Sequence, residues 1–290
     1  MKKENRGKTA AVLMGALLTL VCCFLFEGKL LPAAKKTSAP AGGSPLLVLA
    51  YGEVSADKSG KEITSLDSLR SDLVFLTENG YTFVNGEDLV SFATGVASIP
   101  EKAVWLTFDE GHESFYNLVF PLLQEYKAKA DVNIVGSYTD LYSENLEPRD
   151  SGYLSWMQAA FLDDSPLVSI GNMSYDLNEE PFLGGRKGAS IKKKEDYESY
   201  RIMLCQDVLT LQQEMNENLS HDSRVFCYPK GFYCEESEKI LTSELGFLIT
   251  LTRDEGMNYL IDKSSLRLMK RYCRDGRKST EDFFRKILEF

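Results

Sequence analysis

Histidine is nearly absent from this 290-residue chain, which holds only His112 and His221. Zinc favours imidazole ligands, so a histidine-rich zinc centre has little to be built from. The four cysteines beyond residue 45 (Cys205, Cys227, Cys234 and Cys273) show no CxxC spacing, which removes the common structural zinc motifs. Cys227 and Cys234 flank a turn, yet free thiols are the expectation for both. Basic residues are outnumbered, 33 against 43 acids, for a net charge of -10. Residues 1–29 hold five basic groups and two acids, so the remainder carries 28 against 41, or -13. A body that acidic repels nucleic acid and anionic polymers, which leaves neutral or cationic partners. No internal repeat is visible.

Long apolar runs are scarce too, and the exception is informative. Thr9–Phe26 is eighteen uncharged residues rich in Leu, Val and Ala, preceded by Lys2, Lys3, Arg6 and Lys8. A membrane span needs about 20 residues, with roughly 17 as the lower limit. We read residues 1–8 as a cytoplasmic n-region and 9–26 as a transmembrane segment. An uncleaved anchor with its N-terminus inside is favoured over a cleaved signal. No small residue stands just before Cys22 or Cys23, so a lipid-modified cysteine is not expected. Residues 27–45 form a linker, and its Leu30–Pro45 part is small, polar and rich in Pro and Gly. The expected location is therefore the cell membrane, single-pass, with a domain of residues 46–290 outside the cytoplasm.

Within that domain apolar runs alternate with helical periodicity. Short strands are expected at 46–50, 81–84, 103–109, 130–136, 166–171, 224–229, 247–252 and 266–271. Helices are expected at 64–79, 86–94, 115–126, 153–162, 193–219, 235–245 and 280–288. Seven or eight βα units in so short a domain fit a closed or nearly closed barrel better than an open sheet. In such folds catalytic groups collect at the C-terminal strand ends. There the chain places the adjacent acids Asp109 and Glu110, then Asn172, then Tyr228-Pro229-Lys230-Gly231. Arg267, Lys270 and Arg271 lie on or near a further strand. Trp105 and Trp156 read as core, His221 as a loop residue and His112 as the start of a helix.

The segments Ile99–Gly111, Ser114, Tyr116, Val119–Leu123, Leu154–Trp156, Val168–Gly171 and Phe226–Gly231 occur in an order that resembles the polysaccharide deacetylase family. The resemblance covers most of the chain from Leu46 onwards. It implies an α/β fold, a distorted (β/α) barrel of about seven strands. It also implies hydrolysis of acetyl groups, including C–N amide bonds, on N-acetylated cell-envelope glycans. Carried over residue by residue, Asp109 is the general base and Glu110 stands where the family has a metal-binding aspartate. Asn172 and Asn178 stand at the positions read as its two histidines. Tyr228, Pro229, Lys230 and Gly231 belong to the substrate groove, with Lys230 in place of an aromatic. The implied cofactor is a divalent metal, zinc or similar, and the implied partner an N-acetylated polysaccharide.

The departures matter chemically. Neutral Asn oxygens bind zinc weakly, and an oxygen-only set suits Mg or Ca better. The metal's task is to bring a bound water from pKa about 15.7 towards about 7. At about 1.4 kcal/mol per unit, on the order of 10 kcal/mol is at stake. A general base alone supplies roughly 10²–10⁴-fold. We therefore expect a metal centre that is degraded and activity that is reduced or lost. The alternative role is a catalytically inactive glycan-binding or scaffold protein.

Overall fold

The computed structural model describes residues 43–144, 152–178 and 186–288. The expected anchor and most of the linker lie outside the described residues. Among the described residues no helix is long and apolar enough to cross a membrane.

The longest apolar runs build the sheet. Strand β1 is Ser44–Tyr51; β2, Glu53–Ser55, and β3, Ile63–Ser65, form a small parallel pair. Helix α1 is Leu66–Glu78, β4 is Thr82–Val84, α2 is Gly86–Ala93 and β5 is Ala103–Phe108. A π-turn at Phe115–Val119 leads into α3, Phe120–Tyr126, followed by β6, Ala130–Ile134, and α4, Gly136–Glu144. Then come α5, Trp156–Asp163; β7, Val168–Asn172; α6, Tyr197–Leu219; and β8, Val225–Cys227. The chain ends with α7, Glu235–Lys239; β9, Ile249–Leu251; β10, Asn258–Leu260; β11, Tyr272–Cys273; and α8, Thr280–Leu288.

Strands run in the order β10-β1-β5-β6-β7-β8-β9, with β4 also on β5 and β11 also on β1. The pairings from β1 through β5, β6, β7 and β8 to β9 are parallel; β10 is antiparallel. The α/β class is the expected one, and the sheet forms a half-barrel of about seven strands. Met269 bridges Leu251 of β9, and Tyr272–Cys273 pairs with Leu49–Ala50 of β1. The 269–273 segment thus runs between the two ends of the curved sheet. It was expected as a strand at 266–271; instead a 3₁₀ turn occupies Lys263–Leu266 and Leu268 takes a left-handed φ of 49°.

Alternation along the strands decides what each residue faces, because successive side chains point to opposite faces. Val104, Leu106 and Phe108 of β5, with Ala130, Val132 and Ile134 of β6, pack outward against Leu69 and Leu73 of α1 and Leu211 and Met215 of α6. Trp105, Val225, Cys227 and Ile249 fill the interior with Val48. Capping fixes the helix starts. Asp196 accepts from the Ser199 N–H, so α6 begins at Tyr197 and not at Lys193 as its periodicity suggests. Ser155 and Gln158 form a capping box that begins α5 at Trp156. Helix α4, the β2–β3 pair and β10 were not anticipated.

Both tryptophans are core residues, as read. The Trp105 indole donates to Asp131 (2.8 Å) and that of Trp156 to Asp140 (2.8 Å). His221 is more than a loop residue, since its Nε2 lies 2.7 Å from Asp163 Oδ2 at the end of α5. That hydrogen bond lifts the imidazole pKa to about 8. Its unfolded value is about 6.5. The bond's stabilisation is therefore complete below about pH 6.5 and is lost as pH rises through about 8. Thermal melts of native and His221→Gln chains should differ at pH 6 and converge by about pH 9; an advantage independent of pH contradicts this.

Candidate functional site

The inner positions at the C-terminal strand ends meet in a cavity of about 450 Å³. Alternation places Asp109 there. Phe108 is an outward residue of β5 and Asp109 the next inward one, with its N–H bonded to the Tyr51 carbonyl at 2.9 Å. The Asp109 carboxylate has four donors. Arg271 approaches it in a fork, Nη1 to Oδ1 at 2.7 Å and Nη2 to Oδ2 at 2.9 Å. The Asn133 amide (3.1 Å) and the Cys227 thiol (3.4 Å) also donate to Oδ1. Arg271 is itself fully buried, and its Nε donates to the Thr252 carbonyl and its Nη1 to Thr107 Oγ1. Burial pushes the Asp109 pKa up, but the Arg271 guanidinium, with Arg253 and the Asn133 amide, outweighs it and leaves the carboxyl below the usual range. A carboxylate so depressed is a weak proton acceptor.

Glu110 follows in a left-handed conformation, φ 70°. Lys230, in the turn after β8, does the same at φ 55°. Left-handed backbone costs a non-glycine residue roughly 1–2 kcal/mol, and such strain collects at functional sites. The two side chains meet, Lys230 Nζ to Glu110 Oε1 at 3.3 Å, each about a quarter exposed. The other Glu110 oxygen lies 3.8 Å from His112 Nε2. His112 stacks on Tyr153 with ring centroids 5.1 Å apart, and burial pushes its pKa down against the pull of Glu110. Gly231, φ 76°, completes the Lys230 turn; a Cβ there would lie 2.7 Å from that of Arg253.

The remaining candidates separate. Asn172, the last residue of β7, faces outward: its amide nitrogen lies 3.3 Å from the Val208 carbonyl and from Gln212 Oε1 on α6, and its Oδ1 accepts from the Ser174 N–H. The cavity is lined by Met173 instead. Asn178 is 3% exposed, and neither of its amide atoms has a hydrogen-bond partner among the described residues. It is not among the cavity-lining residues. Tyr228 also faces outward, into the cluster of Phe226, Tyr200 and Phe247, with its hydroxyl on Glu238 at 2.7 Å. Of the four turn residues, Lys230 lines the cavity and Tyr228, Pro229 and Gly231 do not. Sequence reasoning placed Arg271 near a strand but gave it no role in the site. The signal was present, an arginine after the apolar Leu266, Leu268 and Met269, but a solvent-facing cation looks the same in one dimension.

Residues 97–247, just over half of the chain, match the model of the polysaccharide deacetylase family. The chain belongs to that family. The poly-beta-1,6-N-acetyl-D-glucosamine N-deacetylase of Escherichia coli (strain K12) is 23% identical over 312 aligned residues, covering 98% of this chain and 45% of that protein. The chain thus spans about half the length of that relative. A protein of the same name from Staphylococcus epidermidis is 22% identical over 65% of this chain and 61% of its own length. Among solved structures, a de-N-acetylase from Aggregatibacter actinomycetemcomitans superposes with a TM-score of 0.70 at 22% identity, over 83% of this chain and all of that one. The BpsB deacetylase domain from Bordetella bronchiseptica gives 0.65 at 22% identity, over 81% of this chain and 97% of that one. These likenesses establish the fold.

The family is typically metal-dependent, but the donor set of this chain does not suit zinc. Both Asp109 oxygens hold Arg271. Both Glu110 oxygens face nitrogens, one of them an ammonium. His112 and Cys273 also line the cavity, with the His112 Nε2 against Glu110, but Met173 brings only a thioether, Asn178 is a neutral amide, and Asn172 points the other way. Zinc sites use imidazole, thiolate and carboxylate, with one position open for water.

Proposed function

We propose that this chain binds an N-acetylated cell-envelope polysaccharide at the strand-end cavity, with metal-dependent deacetylation reduced or lost. The observation that carries this reading is the occupation of both acids, Asp109 by Arg271 and Glu110 by Lys230. What remains is a cavity large enough for a sugar residue and close to electrical balance, with six acidic and five basic residues among the described residues that line it. A neutral acetamido sugar suits it better than a strongly charged polymer. The names of the relatives make a β-1,6-linked N-acetylglucosamine oligomer the first ligand to try. Tethering by Thr9–Phe26 outside the cytoplasm would place the site beside such a polymer, and no nucleic acid is expected as partner.

Calorimetric titration with that oligomer, before and after chemical de-N-acetylation, tests the reading. Saturable binding of the acetylated form, weakened at least tenfold once the acetyl groups are removed, is expected. No binding of either form contradicts it. A second reading, residual hydrolysis at an altered site, draws on Glu110 and His112 standing side by side in the cavity.

A further inference from the structure

We infer that Lys230 is the site's own cation, an ammonium that stands where a divalent ion would have to stand and keeps such an ion out. The inference deepens the metal-deficient reading above and rests on it. Three observations converge. Lys230 and Glu110 come from turns after different strands, β8 and β5, so their meeting at 3.3 Å is a property of the assembled rim and not of local sequence. Both residues hold left-handed backbone to present those side chains, at φ 55° and 70°. Such strain in two facing turns persists where surrounding structure fixes it. Lys230 also lines the same cavity as Asp109, Glu110, His112 and Met173.

The electrostatic consequence follows directly. The carboxylate best placed to hold a metal is already neutralised by an ammonium, and the other carboxylate by a guanidinium. An entering divalent ion would have to displace the Lys230 ammonium from Glu110 and then sit a few ångströms from it. Like charges that close repel strongly at a partly buried site. Lysine is suited to this role because its charge is a compact point at the end of a flexible stem. The inference separates two causes of poor metal binding, loss of imidazole ligands and presence of a resident cation. It assigns an independent share to the second.

Zinc titration of the purified full chain against a competing chromogenic chelator tests it. The parent carries Glu110→Asp and Met173→His, which with His112 supply carboxylate and imidazole at the cavity. Adding Lys230→Met to this parent is expected to tighten zinc binding at least about tenfold, the lower end of what removing a neighbouring group does to metal affinity. Adding Lys230→Arg, which keeps the charge, is expected to leave it unchanged. Equal zinc affinity with lysine and methionine overturns the inference, as does an equal gain with arginine. Stoichiometric zinc in the native chain at micromolar concentration overturns it as well. If the parent does not fold, as judged by its melting curve, native and single Lys230→Met chains are compared. Tighter zinc binding in the methionine variant then supports the inference, and no difference overturns it. None of these results depends on glycan binding, so the failure of one reading is distinguishable from that of the other.

Discussion

An Arg274→Met chain is expected to unfold about 3–5 kcal/mol more easily than the native chain, the usual result of removing one partner from a buried ion pair. Arg274 and Asp72 are both fully buried and bonded through Nε (2.7 Å) and Nη2 (3.2 Å). Asp72 also accepts from the hydroxyls of Tyr51 (3.1 Å) and Thr280 (2.6 Å). Arg274 donates to the carbonyls of Asp275 (2.7 Å) and Lys278 (2.9 Å), and its guanidinium lies 4.8 Å from the Phe283 ring centre. One pair therefore ties α1, β1, the segment after β11 and the start of α8 together. Methionine fills the volume but leaves Asp72 charged and under-solvated. An Asp72→Leu/Arg274→Met double variant should recover part of the loss and not all, since the Tyr51 and Thr280 hydroxyls and two carbonyls lose their partners. Urea unfolding checks both variants; a loss under about 1 kcal/mol for the single change would contradict the role given to this pair.

Arg271→Met should cost a similar amount at pH 7, about 3–5 kcal/mol, and that cost should depend on pH. In the native chain Asp109 titrates below its usual range. Its contribution to stability is therefore present above the unfolded pKa and fades as pH falls through the folded one. Without Arg271, burial, the largest single influence on this carboxyl, is opposed only by Arg253 and Asn133, and the carboxyl is expected to rise. The variant's Asp109 then takes up a proton on folding between the unfolded pKa and the raised folded one, so the variant gains stability as pH falls across that window. The gap between native and variant should narrow from pH 7 towards pH 4. A gap constant across that range would mean that Arg271 acts mainly through its bonds to Thr252 and Thr107.

The half-barrel was legible because its strands are continuous apolar runs and its helices carry clear stripes, such as Tyr200, Leu204, Val208, Leu211 and Met215 on α6. Asp109 was legible from its place one residue beyond a buried strand. What one dimension did not reveal was the phase of side chains past each strand end. Strand β7 continues through Asn172, so alternation sends Asn172 outward to Gln212 and Met173 inward to the cavity. The same phase turns Tyr228 away from the cavity, while the left-handed turn presents Lys230 to it. Long-range partners were hidden for a different reason. Arg271 reaches Asp109 across 162 residues, and no local pattern encodes that distance. Cys205, Cys227, Cys234 and Cys273 are all free.

Acetate release from N-acetylglucosamine oligomers, followed in the presence of added zinc, tests the central claim most directly. With Asp109 held by Arg271 and Glu110 by Lys230, the account predicts acetate at the buffer rate while oligomer still binds. Sustained turnover accompanied by stoichiometric bound metal would contradict it.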